Sequence, residues 1–197
     1  MALNHAHFYI TEAEYLDGEH YNDIKHEYIY GDVYAMTGAS RNHNTLTNTI
    51  ARLLGNHLEQ TPCSVFSSDM KVKTDHCFFY PDVLVVCDDE QGHDYYTEKP
   101  VIIVEVLSKT TRRNDKTTKM TAYKNIPSLQ EYVLIEQDCV DVEICRRENG
   151  WCSEHYFLGD EVTFNTLELS VSVADIYTKV NNEDMNDYLK TLSEQNT

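Results

Sequence analysis

The stretch "FFYPDVLVVCDD", Phe78 to Asp89, contains the strongest buried-strand run in the chain, and a carboxylate, Asp82, stands directly in front of it. A carboxylate beside a hydrophobic strand loses hydration, and a partner, a hydrogen bond or a metal ion has to offset the loss. The next such strand repeats the arrangement: "VIIVEVLS", Val101 to Ser108, carries Glu105 inside an apolar run. An acid among valines and isoleucines is seldom buried without a partner. For Asp82 alone, a strand-start carboxylate accepting backbone hydrogen bonds is the plainer reading, since Pro-Asp pairs are common at turns. Two such acids in succession point to a shared cation.

Between the two runs lies the polar, acidic "DDEQGHDYYTEK", with Gly92 near its middle. If the runs pair antiparallel around this loop, Asp82 and Glu105 are equidistant from a centre between His93 and Asp94. They then stand opposite each other, with side chains close enough to share one ion. A slip of one residue would turn one of them away.

The rest of the chain fits an α/β protein. Thr11 and Glu14 are spaced as a capping box, so a helix starts there. "EYIYGDVYAM" reads as two short strands around a Gly31-Asp32 turn. In "RNHNTLTNTIARLLGNHLEQ", Leu46, Ile50, Leu53, Leu54 and Leu58 share one helical face. "SVFSSDMKVK" reads as a strand. A helix is expected from near Asn114 to before Pro127, followed by strands in "EYVLIE", "CVDVEICRR", "WCSEHYFL" and "LELSVSV". One domain over residues 1–180 is expected, with a polar, acidic tail over 181–197 that is a short helix or disordered.

The chain has 197 residues, 41% of them hydrophobic, so it can bury a sizeable core. Its formal charge of −17 works against binding to phosphates. The charge is unevenly spread, however. Lys109, Arg112, Arg113, Lys116, Lys119 and Lys124 share a short window with one acid, Asp115. A solvated helix face is the bland explanation, yet the window begins four residues after Glu105. Arg112, Arg113 and Lys116 are therefore candidates for binding substrate.

Cys63, Cys77, Cys87, Cys139, Cys145 and Cys152 form no Cys-x-x-Cys pair. Reduced, mostly buried thiols are expected. His76, Cys77 and Cys87 match no familiar zinc spacing. The first residues show no basic segment followed by an apolar core, and no run approaches the roughly 20 apolar residues that span a bilayer. A soluble, cytoplasmic protein without membrane contact is expected.

Taken in order, "KHEYIYGDVYAMTGAS", His43, "YPDVLVV", "IIVEVLSKTTRRNDKTTKMTAYKN" and "SLQEYVLIE" resemble the Uma-two family, within the PD-(D/E)XK restriction-endonuclease-like superfamily. The resemblance runs from about Tyr9 to Tyr177. It implies a restriction-endonuclease-like mixed β-sheet core flanked by helices, and metal-dependent hydrolysis of the phosphodiester bonds of DNA. On this reading Asp82 and Glu105 hold Mg²⁺, with Mn²⁺ as a possible substitute and the Val106 carbonyl as a further ligand. Hard oxygen donors suit that ion. Lys119 would orient the attacking water or meet developing charge. Glu27 would be the fourth member of the set, as an outer-shell ligand or on a second ion, although a pairing with Lys25 or His26 across a strand edge explains it as well. His43 matches a family histidine that touches substrate or orients Glu27, although capping or packing explains it as well.

The sequence departs from the superfamily pattern at Leu107, where a lysine is expected two residues after the strand glutamate. Lys119 on the following helix takes over that place in the family, with Lys116 and Lys124 as neighbouring candidates. The alternative is a catalytically inactive nucleic-acid- or protein-binding regulatory module on the same fold; a hydrolase of another phosphoester is a third option. A homodimer is expected, as for many proteins of this fold. Tyr123 reads as core; the cluster Tyr28, Tyr30 and Tyr34 could stack bases, although fourteen tyrosines in a two-layer fold mostly fill space.

Overall fold

The computed structural model describes residues 9–195; residues 1–8, part of the segment read above for a targeting signal, lie outside that range. Thr11 opens α1 (Glu12–Tyr21) with the expected reciprocal cap: its amide donates to Glu14 Oε2 at 2.9 Å, and its hydroxyl accepts from the Glu14 amide at 3.3 Å. Strands β1 (His26–Ile29) and β2 (Asp32–Ala35) form a hairpin. Its two turn residues, Tyr30 and Gly31, both have positive φ, 49° and 96°, as a tight hairpin turn with right-handed twist demands. Helix α2 (Arg41–Leu58) buries Leu46, Ile50, Leu54 and Leu58 on one stripe.

Strands β3 (Cys63–Ser67), β4 (Lys71–Thr74), β5 (Cys77–Phe79), β6 (Val83–Cys87), β7 (Tyr96–Thr97) and β8 (Pro100–Leu107) follow. After them come β9 (Glu131–Glu136), β10 (Val142–Arg146), β11 (Ser153–Tyr156), β12 (Glu161–Phe164) and β13 (Leu169–Ser172). A mixed six-stranded sheet runs β11-β10-β9-β8-β6-β3, a second sheet runs β2-β1-β5-β4-β7, and β12 pairs with β13. β8 and β9 are parallel, which requires a crossover. Residues 112–124 supply it as one continuous helix: an α-helical turn at Arg112–Asn114, a π-helical turn at Asp115–Lys119 and an α-helical turn at Met120–Lys124.

The chain changes sheets at two bends, one of them inside a run read as a single strand. Phe78 and Phe79 belong to the five-stranded sheet and Val83–Cys87 to the six-stranded one, with Tyr80, Pro81 and Asp82 as the bend between them. "SVFSSDMKVK" breaks likewise at Ser68, whose φ of 64° takes it out of extended geometry. Around Ser68 the apolar residues Phe66, Met70 and Val72 keep to alternate positions, so periodicity alone does not reveal that break. The expectation of reduced cysteines is also corrected. Cys63 and Cys87 face each other across β3 and β6 and are joined as a disulfide, with Cα atoms 4.0 Å apart. The residues from Asn181 end in a helix, Glu183–Gln195, anchored by buried Met185 and by Asp184, which accepts the Val140 amide at 2.7 Å.

The register of β6 and β8 positions the two acids. Val83 pairs with Val104, Leu84 with Ile103 and Val85 with Ile102, before a bulge shifts the pairing at Val86. One step further along this ladder, Asp82 stands opposite Glu105. Ile102, Val104 and Val106 pack into the cluster around α2, whereas Ile103 and Leu107 pack with Leu84, Phe79 and Tyr123 on the other face. Side chains alternate along a strand, so Asp82 and Glu105 share the second face.

Candidate active site

Asp82 is fixed through one oxygen. Its Oδ2 accepts the Val106 amide at 2.7 Å and lies 3.2 Å from His43 Nε2. Val106 thus offers its N–H, and the strand-start reading of Asp82 is true of one oxygen. The first turn of α2 delivers His43: Ser40 caps the helix by accepting the His43 amide at 3.1 Å, which turns the imidazole toward the bend before β6. His43 therefore addresses Asp82 and not Glu27.

Glu105 is 3% exposed, and it too is held through one oxygen. Its Oε1 accepts from Lys119 Nζ at 3.1 Å and from the Tyr123 hydroxyl at 3.2 Å. Tyr123 is core, as expected, but its polar tip is spent on Glu105. Lys119 Nζ also lies 2.8 Å from Glu27 Oε1 and 3.3 Å from Asp115 Oδ1. Glu27, on β1, accepts the Tyr80 amide at 3.3 Å through the same oxygen. Its sequence neighbours go elsewhere, Lys25 to Asp69 and His26 to Glu19.

Asp115 is the site residue that sequence reasoning missed. It was counted as the single acid of a basic run, yet it is 2% exposed and faces the ammonium. Its spacing of four from Lys119 was the available signal. Four-residue steps in a helix of 3.6 residues per turn drift around the axis. The wider π turn at Asp115–Lys119 takes up that drift, so Asp115, Lys119 and Tyr123 all point at the sheet.

Burial pushes the Glu105 carboxyl well above the ordinary range; Asp115, Asp82 and Glu27 add to the rise, and Lys119 opposes it. Burial also raises Asp115. For Lys119, burial alone would favour the neutral amine, but Glu105, Glu27 and Asp115 outweigh it and hold the ammonium charged. Three carboxylates, Glu27, Glu105 and Asp115, thus gather around one lysine, and Asp82 stands beside Glu105.

The other candidates lie outside this cluster. Arg112 pairs with Glu136 and lies 3.8 Å from Asp138, and Lys116 reaches Glu143 at 2.9 Å. Arg113 is exposed. Leu107 is fully buried in the core beside Tyr123. Cys77 and Cys87, which match no familiar zinc spacing, are on different sheets.

Among the described residues, no three His, Cys, Asp or Glu side chains converge to hold a metal ion by themselves. The donor chemistry nevertheless suits a hard divalent cation. Among the described residues, the side-chain contacts of Asp82 fall on Oδ2 and those of Glu105 on Oε1, which leaves each carboxylate a second oxygen. Mg²⁺ needs little more from a protein than one or two carboxylates, because water and substrate phosphate complete its shell.

Residues 12–174 match the family described as "Uma2: Putative restriction endonuclease". An uncharacterized protein of Synechocystis sp., slr1290, is 33% identical over 174 residues, covering 85% of this chain and 91% of its own length. A second from the same organism, sll1609, is 39% identical over 139 residues, with coverage of 68% and 78%. Among solved structures, "a putative nuclease belonging to DUF820" from Anabaena variabilis superposes with a TM-score of 0.74 over 87% of this chain and 99% of that one. At 18% identity it speaks for the fold, a restriction-endonuclease-like mixed sheet flanked by helices. The chain belongs to the Uma2 family.

Proposed function

We propose that this chain is a Mg²⁺-dependent endonuclease that hydrolyses phosphodiester bonds of DNA. The observation that carries the reading is the charge imbalance of the cluster: Glu27, Glu105 and Asp115 share one ammonium in a largely buried setting, and Asp82 adds a further carboxylate beside Glu105. Such an excess is relieved by a proton or by a further cation. Asp82 and Glu105 would hold the ion through their uncommitted oxygens. The ion, when bound, would polarise the phosphate and acidify an attacking water.

The chain's own groups do the rest. His43 and the Val106 amide fix the orientation of Asp82, and Tyr123 fixes that of Glu105. Glu27 and Asp115 keep Lys119 charged and aimed, so that its ammonium meets negative charge developing on the phosphate. Arg113 is free to meet the nucleic-acid backbone, and Arg112 and Lys116 would exchange their carboxylate partners for phosphates. In a homodimer two such strips would lie together and offset the overall acidity. No helix among the described residues is long and apolar enough to cross a membrane, and the proposed setting is the cytoplasm.

Calorimetry with Mg²⁺ or Mn²⁺ tests this reading. Because the Glu105 proton and the cation compete, affinity rises with pH, by up to about tenfold per unit for one displaced proton. Binding that nowhere strengthens as pH rises above the ordinary carboxylate range argues against Glu105 as a ligand. The second reading, a binding module without turnover, is favoured by Leu107 lying in the core and by the three carboxylates engaging Lys119. Absence of any ion binding by the wild-type chain would select it.

A further inference from the structure

We infer that the nucleic acid this chain receives is single-stranded, its unpaired bases lying on a row of aromatic rings beside the carboxylate cluster. The inference takes its functional sense from the nuclease reading but is tested by binding alone. The row is built from two segments far apart in sequence, the last turn of α1 and the loop between β6 and β8. Tyr21 is 78% exposed and Tyr95 52%. His20 meets both edge-on, at 5.1 Å and 5.5 Å. His93 continues the row, 6.1 Å from Tyr95 and stacked on Tyr96 at 4.1 Å.

Cations are interleaved with the rings. Lys73 Nζ lies 5.6 Å from the Tyr96 centroid, although Glu98 also engages it at 3.2 Å. Lys71 Nζ lies 5.9 Å from the Tyr95 centroid and 5.1 Å from that of Tyr80, to whose hydroxyl it donates at 3.2 Å. It is 6% exposed, and the carboxylate whose charge reaches it is Glu19, which accepts the same Tyr80 hydroxyl at 3.0 Å.

Beyond the His93–Tyr96 pair opens a half-enclosed cavity of about 210 Å³. Phe66, Met70 and Val86 form its apolar walls, and Ser64, Thr97 and Asp89 its polar rim. Flat apolar walls with a few polar groups at the edge suit a heteroaromatic base. Strand β6 joins this cavity to the cluster: Val86 lies four residues from Asp82, about 13 Å at the usual strand rise. The Asp82 carbonyl also accepts the Ser68 amide at 3.1 Å, two residues before Met70. Bases on the rings and a phosphate at the carboxylates are thus within reach of one strand.

An intact duplex hides the faces of its bases, whereas a single strand offers them to aromatic side chains regardless of sequence. The charge of −17 also penalises the more densely charged duplex.

Fluorescence anisotropy with a labelled oligothymidine and a hairpin duplex of matched charge tests this. Asp82→Ala protein without added metal is used, so binding is read whether or not the chain cleaves. The single strand is expected to bind at least about tenfold more tightly than the duplex. Tyr95→Ala lowers single-strand affinity by about fivefold or more, the equivalent of one lost stacking contact, and Tyr95→Phe restores it. Equal affinity for both nucleic acids, or no change in Tyr95→Ala, overturns the inference. Hydrolysis of bis(4-nitrophenyl) phosphate by wild-type protein with Mn²⁺ is read separately. That substrate needs no stacking, so its failure would count against the nuclease reading and not against strand recognition.

Discussion

Asp82→Ala abolishes metal-dependent strand cleavage, with a fall of about a thousandfold or more, since a bound ion contributes several kcal/mol of charge stabilisation. The protein still folds. Asp82 lies at a bend and its side chain is 18% exposed, so the substitution opens no closed core site. The structural cost is the Val106 amide, which loses its acceptor at 2.7 Å. An unsatisfied amide of this kind costs about 1–3 kcal/mol, within the reserve of an ordinary domain. Cleavage assays on plasmid and oligonucleotide, paired with a thermal melt, check both halves. Wild-type cleavage rates in the variant would remove Asp82 from the site.

Lys119→Met has the largest expected effect on stability. It keeps the length of the side chain but leaves Glu27, Glu105 and Asp115 gathered with no cation among them. Removing one partner of a buried charged set costs about 3–5 kcal/mol, a drop in melting temperature of roughly 10 °C for a chain of this size. The pH dependence identifies the cause. In the folded protein Glu105 and Asp115 titrate above their ordinary values, 4.5 and 3.8. The folded state therefore holds these protons more tightly than the unfolded chain. Stability is lost as pH rises from the unfolded values through the folded ones. Without Lys119 that loss deepens, so the deficit of the variant is smaller at pH 5 than at pH 8. Equal deficits at both would mean that lost packing, not lost charge, is responsible. The melts must be run without divalent ions, which would replace the missing cation.

What could be read from the sequence follows its local physics. The capping box, the α2 stripe and the two acidic strands each announce themselves within a few residues. The register of Asp82 against Glu105 was countable because the bulge at Val85–Val86 lies on the loop side of the pairs that matter. Less was legible where chemistry depends on direction. Lys116 and Lys119 both lie on one helix, but only the structure shows one reaching Glu143 on β10 and the other entering the cluster. Asp115 was hidden by its basic neighbours, and the π turn that aims it has no composition signal. Splitting β5 from β6 required knowing that the chain changes sheets at Pro81. The Cys63–Cys87 bridge needed the register of β3, which only the folded sheet supplies.

The most direct test of the shared-cation claim is anomalous scattering from a crystal of this chain soaked in Mn²⁺. The expected result is a single peak bonded to one oxygen of Asp82 and one of Glu105, with Lys119 still paired to Glu27. A soaked crystal with no peak there, or with its ion held by other residues, would contradict the claim.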